Sequence, residues 1–222
     1  HLNAIASLTL TSVPSKLVCR DKETNELMDF LEDGINSGGS TSSLYMCGMP
    51  GLGKTATFLY VIDKLKETYD FEFIFINCMK LSKPTDIYSI LAETMLEKSA
   101  SRPATACKNL QNYFTRKGKK PPYVILVDEL DALLNKKQDI VYNLYNWTSM
   151  KNSGLIVVGI ANTMDLPQKF QAKISSRHGH KQIIFPPYRR EELQAILKRR
   201  LEDTELFTED AVKFACGKVA SY

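Results

Sequence analysis

"SLYMCGMPGLGKTATFLYVI", Ser43 to Ile62, is the stretch whose reading decides the fold. A short apolar run of strand character enters Gly48, and "GMPGLGKT" then satisfies G-x-x-x-x-G-K-[ST] up to Thr55. After it, apolar residues return at helical spacing. Glycines in this arrangement let backbone N–H groups converge on one anion, and the helix N-terminus adds a favourable dipole. The spacing places a phosphate tail over Gly48, Pro50, Gly51, Leu52, Gly53 and Ala56. Lys54 would reach the β and γ oxygens, and the Thr55 hydroxyl would bind Mg2+. With average residue usage, a chain of this length meets the pattern by accident about 1% of the time. The strand–loop–helix setting lowers that figure further.

Working outward, short apolar strands alternate with helical stretches, the signature of a parallel α/β sheet. Strands are expected at 43–48, 71–78, 123–129, 155–162 and 181–187, with helical patterns near 54–68, 84–98, 105–116 and 138–147. The expected fold is therefore α/β, a phosphate-loop core with a five-stranded parallel sheet flanked by helices. Beyond the last strand, "RREELQAILKRRLED" sets Leu193, Ile196, Leu197 and Leu201 on one helical face. A second helix follows a Thr208–Asp210 cap signal. Helices without strands between them imply a division into an α/β core over 1–188 and a partial helical lid over 189–222.

Of the 222 residues, 44% are hydrophobic and 24% charged, which is enough apolar content for a sizeable core. The formal charge of +4 permits contact with nucleic acid without arguing for it. No apolar run approaches the ~20 residues that span a bilayer, and no membrane partner is expected. Cys19, Cys47, Cys78, Cys107 and Cys216 stand far apart, with no C-x-x-C spacing, which suggests buried reduced thiols. The first residue is His1, so the chain reads as a piece of a longer protein.

"VILVDELD" ends a continuously apolar strand in Asp128 and Glu129. At a strand's carboxyl end beside a phosphate loop, Asp128 supports Mg2+ and Glu129 polarises the attacking water. Asp131 either caps the next helix or stands behind the site. "VVGIANTMDL", Val157 to Leu166, poses a choice, since Asn162 and Asp165 resemble the Asn-x-x-Asp of a guanine reader. A guanine reader carries Lys where this chain has Thr163, and Asp-x-x-Gly where it has Asp128 to Asp131. Asn162 is better read as a polar sensor of water and γ-phosphate, and the nucleotide as ATP.

The ordered set "CGMPGLGKTAT", "INCMKLSKPTDIY", "ILVDELDALLNKKQDIVYNLYNW", "GIANTMDLP", "ISSR" and "FPPY" resembles the AAA+ module of the origin-recognition initiators. Within that family it is most similar to the branch of the first complex subunit, and next to the paralogous cell-division-cycle licensing factor. The resemblance runs from about Val13 to Tyr222. It implies an ATPase with Lys54 and Thr55 in the phosphate loop, Asp128 and Glu129 as the acid pair, and Asn162 as the first sensor. It also implies that Pro14 and Arg20 of "SVPSKLVCRDKE", with Tyr188 of "FPPY", lie near the adenine. Arg177 in "QKFQAKISSR" is the implied trans arginine finger, and Lys173 stands where the family shows a further arginine. A planar guanidinium and a compact ammonium are not equivalent there. The second sensor arginine would lie beyond Tyr222, so slow hydrolysis is expected of this segment alone. The implied partners are the other AAA+ subunits of an origin recognition complex, the licensing factor and duplex DNA, with action in the nucleus.

"TRKGKK", 115–120, gathers Arg116, Lys117, Lys119 and Lys120. The three lysines are candidate contacts to DNA phosphates, which would be sequence-independent and salt-sensitive. The alternative is an ordinary solvated basic loop. Tyr113 and Phe114 read as helix core. Two function classes stay open: an ATPase whose turnover regulates helicase loading, and a nucleotide-dependent assembly module with little turnover.

Overall fold

Residues 17–38, 43–97, 102–116, 118, 120–134, 138–151, 153–163, 181–200 and 208–219 are described by a computed structural model of the chain. Pro14, Lys117, Lys119, Lys173 and Arg177 lie outside the described residues. The five strands are β1 (Ser43–Cys47), β2 (Glu72–Asn77), β3 (Tyr123–Asp128), β4 (Leu155–Ala161) and β5 (Lys181–Ile184). They form one parallel sheet in the order β2-β3-β4-β1-β5. The chain starts near the middle, crosses to the far edge at β2, and returns through β3 and β4 to β1's side. Loops leaving the carboxyl ends of β1, β3 and β4 therefore meet on one crest, where open α/β sheets bind their ligands.

Burial follows that order. β1, β3 and β4 are buried along their whole length, whereas β2 and β5 are partly exposed edges. Aliphatic strands such as "YVILVD" and "LIVVGIA" belong in the centre because helices cover both of their faces. On one face lie α1 (Asp21–Asn36) and α2 (Lys54–Lys66), which pack Leu27, Leu31, Phe58 and Ile62 against Leu44, Leu126 and Val158. On the other face lie α3 (Asp86–Leu96), α4 (Pro103–Thr115) and α6 (Gln138–Thr148). They bury Leu91, Leu110, Phe114 and Trp147 against Ile125, Val127 and Val157. Phe114 stacks on Trp147 at 5.3 Å between ring centroids, so the Tyr113–Phe114 pair is core-facing as expected. A short α5 (Asp131–Leu134) follows β3 directly.

Three details depart from the sequence expectation. α1 was not foreseen, although Leu27, Leu31 and Ile35 recur at four-residue spacing and are all buried. β5 stops at Ile184 rather than 187, because Pro186 and Pro187 have no N–H to extend the ladder. α4 begins at Pro103, two residues early, where a proline's missing donor costs nothing in the first turn.

After β5 come α7 (Arg190–Arg200) and α8 (Glu209–Val219), which pack on each other. α7 has no fully buried residue. Among the described residues no helix is long and apolar enough to cross a membrane.

Candidate functional site

The phosphate loop leaves β1 at Gly48, whose φ of +148° lies at the margin of what a side chain tolerates. A Cβ there would stand 2.5 Å from the Phe185 carbonyl oxygen, so only glycine fits. At the other end Gly53, at φ +83°, caps α2, and a Cβ there would stand 2.9 Å from the Tyr188 hydroxyl. Lys54 opens the helix and is only 6% exposed. Its ammonium donates to the carbonyls of Gly48 (2.8 Å) and Met49 (2.9 Å) and to Asn162 Oδ1 (3.0 Å). Burial lowers its pKa, against the opposing pull of the Glu129, Asp128 and Asp131 carboxylates.

β3 delivers the acid pair to the same place. Asp128 Oδ2 accepts from the Thr55 hydroxyl at 3.1 Å, and Oδ1 accepts from the Glu129 N–H at 3.0 Å. Burial raises the Asp128 pKa above the ordinary carboxylate value, while the Thr55 and Glu129 hydrogen bonds and the Lys54 charge oppose it. Beneath it, burial and the two carboxylates push the Cys78 thiol up to about 12, which makes it an inert packing group. Glu129 itself sits at φ +56°, a left-handed conformation that a non-glycine residue adopts at a cost.

β4 supplies the link between these groups. Asn162, the residue after β4, donates from Nδ2 to Glu129 Oε2 at 2.9 Å while its Oδ1 receives the Lys54 ammonium. One amide thus ties the loop's cation to the acid. Four segments from β1, α2, β3 and β4 converge, and Lys54, Thr55, Asp128, Glu129 and Asn162 form one hydrogen-bonded set, with Thr55 and Asp128 joined through β3.

The residues fit a magnesium triphosphate. The Lys54 cation is held by neutral oxygens, with no salt-bridge partner among the described residues. Thr55 and Asp128 offer two hard oxygen donors side by side. Among the described residues no three His, Cys, Asp or Glu side chains gather to hold a metal. A set of that kind suits Mg2+, which keeps waters and takes the rest of its shell from phosphate oxygens.

The opposite side is apolar. A cavity of about 340 Å³ lies between the core and α7–α8. Gly51, Gly53, Ala56 and Tyr188 line it from the core. Apolar residues of α7 and α8, Leu193, Ile196, Leu197, Ala215, Cys216 and Val219, line it from the helices together with Arg199 and Arg200. Leu17 and Val18 close it from the N-terminal side. Of the sequence candidates for the adenine side, Tyr188 lines the cavity, and its hydroxyl donates to the Leu52 carbonyl at 3.1 Å.

Arg20 is not among the lining residues. It is 3% exposed, and its guanidinium donates to Leu52 O (3.2 Å), Glu23 Oε1 (3.1 Å) and Pro186 O (2.8 Å). It stacks 3.8 Å from the Tyr188 ring centroid. The structure places it behind the pocket wall, where it is fully engaged. The apolar stripe of α7 was visible in the sequence, but that it faces this cavity was not.

The basic loop differs at Lys120, a candidate DNA contact. It is buried, its ammonium donates to the Arg116 carbonyl at 3.0 Å, and it lies 5.6 Å from the Tyr113 ring centroid. Desolvation lowers its pKa. A lysine turned inward to close its own helix end is not presented to a phosphate backbone. The sequence reading gave it as a candidate DNA contact, with an ordinary solvated basic loop as the alternative, because a charged loop residue does not show which way its head turns.

The profile of the "ATPase family associated with various cellular activities (AAA)" matches residues 44–185, which span β1 to the end of β5 and every polar residue of the phosphate side. The chain belongs to the AAA family. This AAA chain is 38% identical to the origin recognition complex subunit 1 of Dictyostelium discoideum, over 100% of its own length and 38% of the relative's. It is 40% identical to that of Schizosaccharomyces pombe, over 100% of the chain and 32% of the relative. The AAA chain thus spans about a third of the length of these curated relatives. Among solved structures, the Drosophila origin recognition complex bound to DNA contains a chain that superposes with a TM-score of 0.83 at 35% identity. That superposition covers 98% of this chain and 55% of the other. The Aeropyrum pernix ORC1 protein in complex with DNA gives 0.78 at 23% identity, over 97% and 58%, and shares the AAA fold. The relatives are of the initiator family that the sequence motifs resemble.

Proposed function

We propose that this chain is the ATP-binding and ATP-hydrolysing module of the first subunit of an origin recognition complex, acting in helicase loading in the nucleus. The observation that carries the reading is the Asn162 amide held between the Lys54 ammonium and the Glu129 carboxylate. It puts a sensor, a phosphate-binding cation and a water-polarising acid within one chain of hydrogen bonds.

In this reading Lys54 leaves the loop carbonyls for the terminal phosphates, and the loop N–H groups take the phosphate oxygens. Glu129 orients and deprotonates water, and Asn162 keeps that carboxylate facing the γ-phosphate. Mg2+, held by Thr55 and Asp128 together with the phosphates, supplies charge neutralisation. The base occupies the apolar cavity against Tyr188 and α7, with Arg20 bracing the wall from behind. The partners are other AAA+ subunits, the licensing factor and duplex DNA. Arg177 serves a neighbour's site in trans, and a finger supplied this way is worth ~10³–10⁵ in rate. Turnover by the isolated segment is slow, as expected from the missing second sensor arginine, and no neighbour supplies a finger to its own site.

The alternative, an assembly module with little turnover, draws on the Glu129 carboxylate being occupied by Asn162 rather than open. Glu129→Gln separates the two. In the assembled complex the ATPase reading expects retained ATP binding with phosphate release lowered roughly 10²–10⁴-fold, the usual worth of a general base. Unchanged phosphate release by the variant complex would leave only the assembly reading.

A further inference from the structure

We infer that Asp131 is a positioning residue for hydrolysis, which acts by holding the sensor Asn162 in register with Glu129. This rests on the ATPase reading above and names a residue that the reading does not use.

Asp131 is the first residue of α5, yet its carboxylate does not cap that helix. Both oxygens reach across to the end of β4. Oδ2 accepts the Asn162 backbone N–H at 2.7 Å, and Oδ1 accepts the Thr163 hydroxyl at 2.6 Å. The Thr163 carbonyl in turn accepts the Tyr45 hydroxyl of β1 at 2.7 Å.

The reason lies in the sheet. The β3–β4 ladder ends at the pair Val127 and Gly159, two residues before the strand itself ends at Ala161. Glu129 then turns the chain through its positive φ, which lets Leu130 N–H reach the Ile160 carbonyl at 2.8 Å. Past that point no backbone partner remains on the β3 side for Asn162, and the Asp131 carboxylate takes the role of the missing strand. A strand end held by two short bonds fixes the direction in which the Asn162 side chain leaves. That direction sets the 2.9 Å contact to Glu129 and the 3.0 Å contact to Lys54. Asp131 makes no hydrogen bond of its own to Glu129 or Lys54; its charge adds to the pull on the Lys54 ammonium, and its hydrogen bonds act through Asn162 and Thr163.

The chemistry separates position from charge. In Asp131→Asn the amide oxygen can still accept the Asn162 N–H, and the amide NH2 can donate to the Thr163 hydroxyl, which rotates to accept. In Asp131→Ala both bonds vanish. The test measures ATP affinity, kcat and KM for the full-length parent protein assembled with its partner subunits.

Asp131→Ala is expected to lower kcat roughly 10–100-fold, the scale of a misplaced catalytic group, with ATP Kd and KM within about twofold. Asp131→Asn should recover most of that loss, and Thr163→Val, which removes one of the two donors, should fall between. Wild-type kcat in Asp131→Ala would overturn the inference. So would an Asp131→Asn enzyme as slow as Asp131→Ala, since charge would then be what matters. If Asp131→Ala does not assemble, Thr163→Val decides: a lowered kcat at unchanged Kd supports the inference, and wild-type kcat overturns it. Glu129→Gln runs alongside, and full activity there would show that the hydrolysis measured does not pass through this site, which removes the proposed role of Glu129 independently of Asp131.

Discussion

The two ends of the site are built on opposite terms. At the phosphate end, buried charges crowd together: Lys54 and Asp128 are each 6% exposed, and burial works against the charged form of both. At the base end, Arg20, a buried cation, has an acceptor for each of its donating nitrogens and an aromatic face beneath it. The first end holds groups that would be more stable elsewhere, while the second ties loops to the core. The difference teaches which polar residues the fold needs and which the chemistry needs. Natural sites commonly trade stability for function in this way.

The sharpest way to break that contrast is Arg20→Ala. It would strand the Glu23 carboxylate and the Pro186 carbonyl in a buried setting, while the Leu52 carbonyl keeps the Tyr188 hydroxyl. Removing one partner of a buried pair costs about 3–5 kcal/mol. Thermal unfolding should therefore show Tm lower by roughly 10 °C for a chain of this size. A Tm shift of a degree or less would mean that Arg20 belongs with the ligand-binding groups after all.

Gly48→Ala comes next, because its Cβ would meet the Phe185 carbonyl oxygen at 2.5 Å. Relief requires β5 and the loop to separate, which costs on the order of 1–3 kcal/mol. Both Tm and ATP affinity should fall, since that contact joins the phosphate loop to the strand leading to Tyr188. Loss of affinity with unchanged Tm would place the strain in the loop alone.

The smallest effect has the opposite sign. The Asp128 pKa is raised in the folded protein, so between its unfolded and folded values the native state binds more protons. Its contribution is therefore most unfavourable at neutral pH and is relieved as pH falls through the folded pKa. Asp128→Asn should raise the Tm of the nucleotide-free protein by on the order of a few degrees at pH 7, less any solvent screening. That gain should shrink in acid, while the Mg2+-dependent part of ATP binding is lost. A fall in Tm at neutral pH would show that the carboxylate stabilises the empty site, and the contrast between the two ends would fail.

Legibility in the sequence followed the same division. Lys54, Thr55, Asp128, Glu129 and Asn162 could be found by reading alone because each follows a strand whose apolar run is unmistakable. Their spacing within short loops is the one that a single phosphate tail would require. Tyr188 and the α7 stripe, which line the pocket, and Arg20, which braces it, come from three distant segments, so no local spacing betrays it. Lys120 misled for a related reason, since a charged loop residue carries no mark of whether its head turns outward or onto a helix end. α1 was missed although its Leu27, Leu31 and Ile35 repeat was present, because the residues around it are mostly polar.

By itself the sequence determined the sheet's strands, the phosphate loop and the acids that face it, since alternation, apolar runs and glycine positions are local consequences of backbone sterics and burial. Only the tertiary structure decided that Arg20 braces rather than lines the pocket, that Lys120 is turned inward, and that Asp131 completes β4 from a neighbouring segment. Those facts depend on which hydrogen-bonding groups are left without a partner once the strands have paired, and that is known only after the chain has folded.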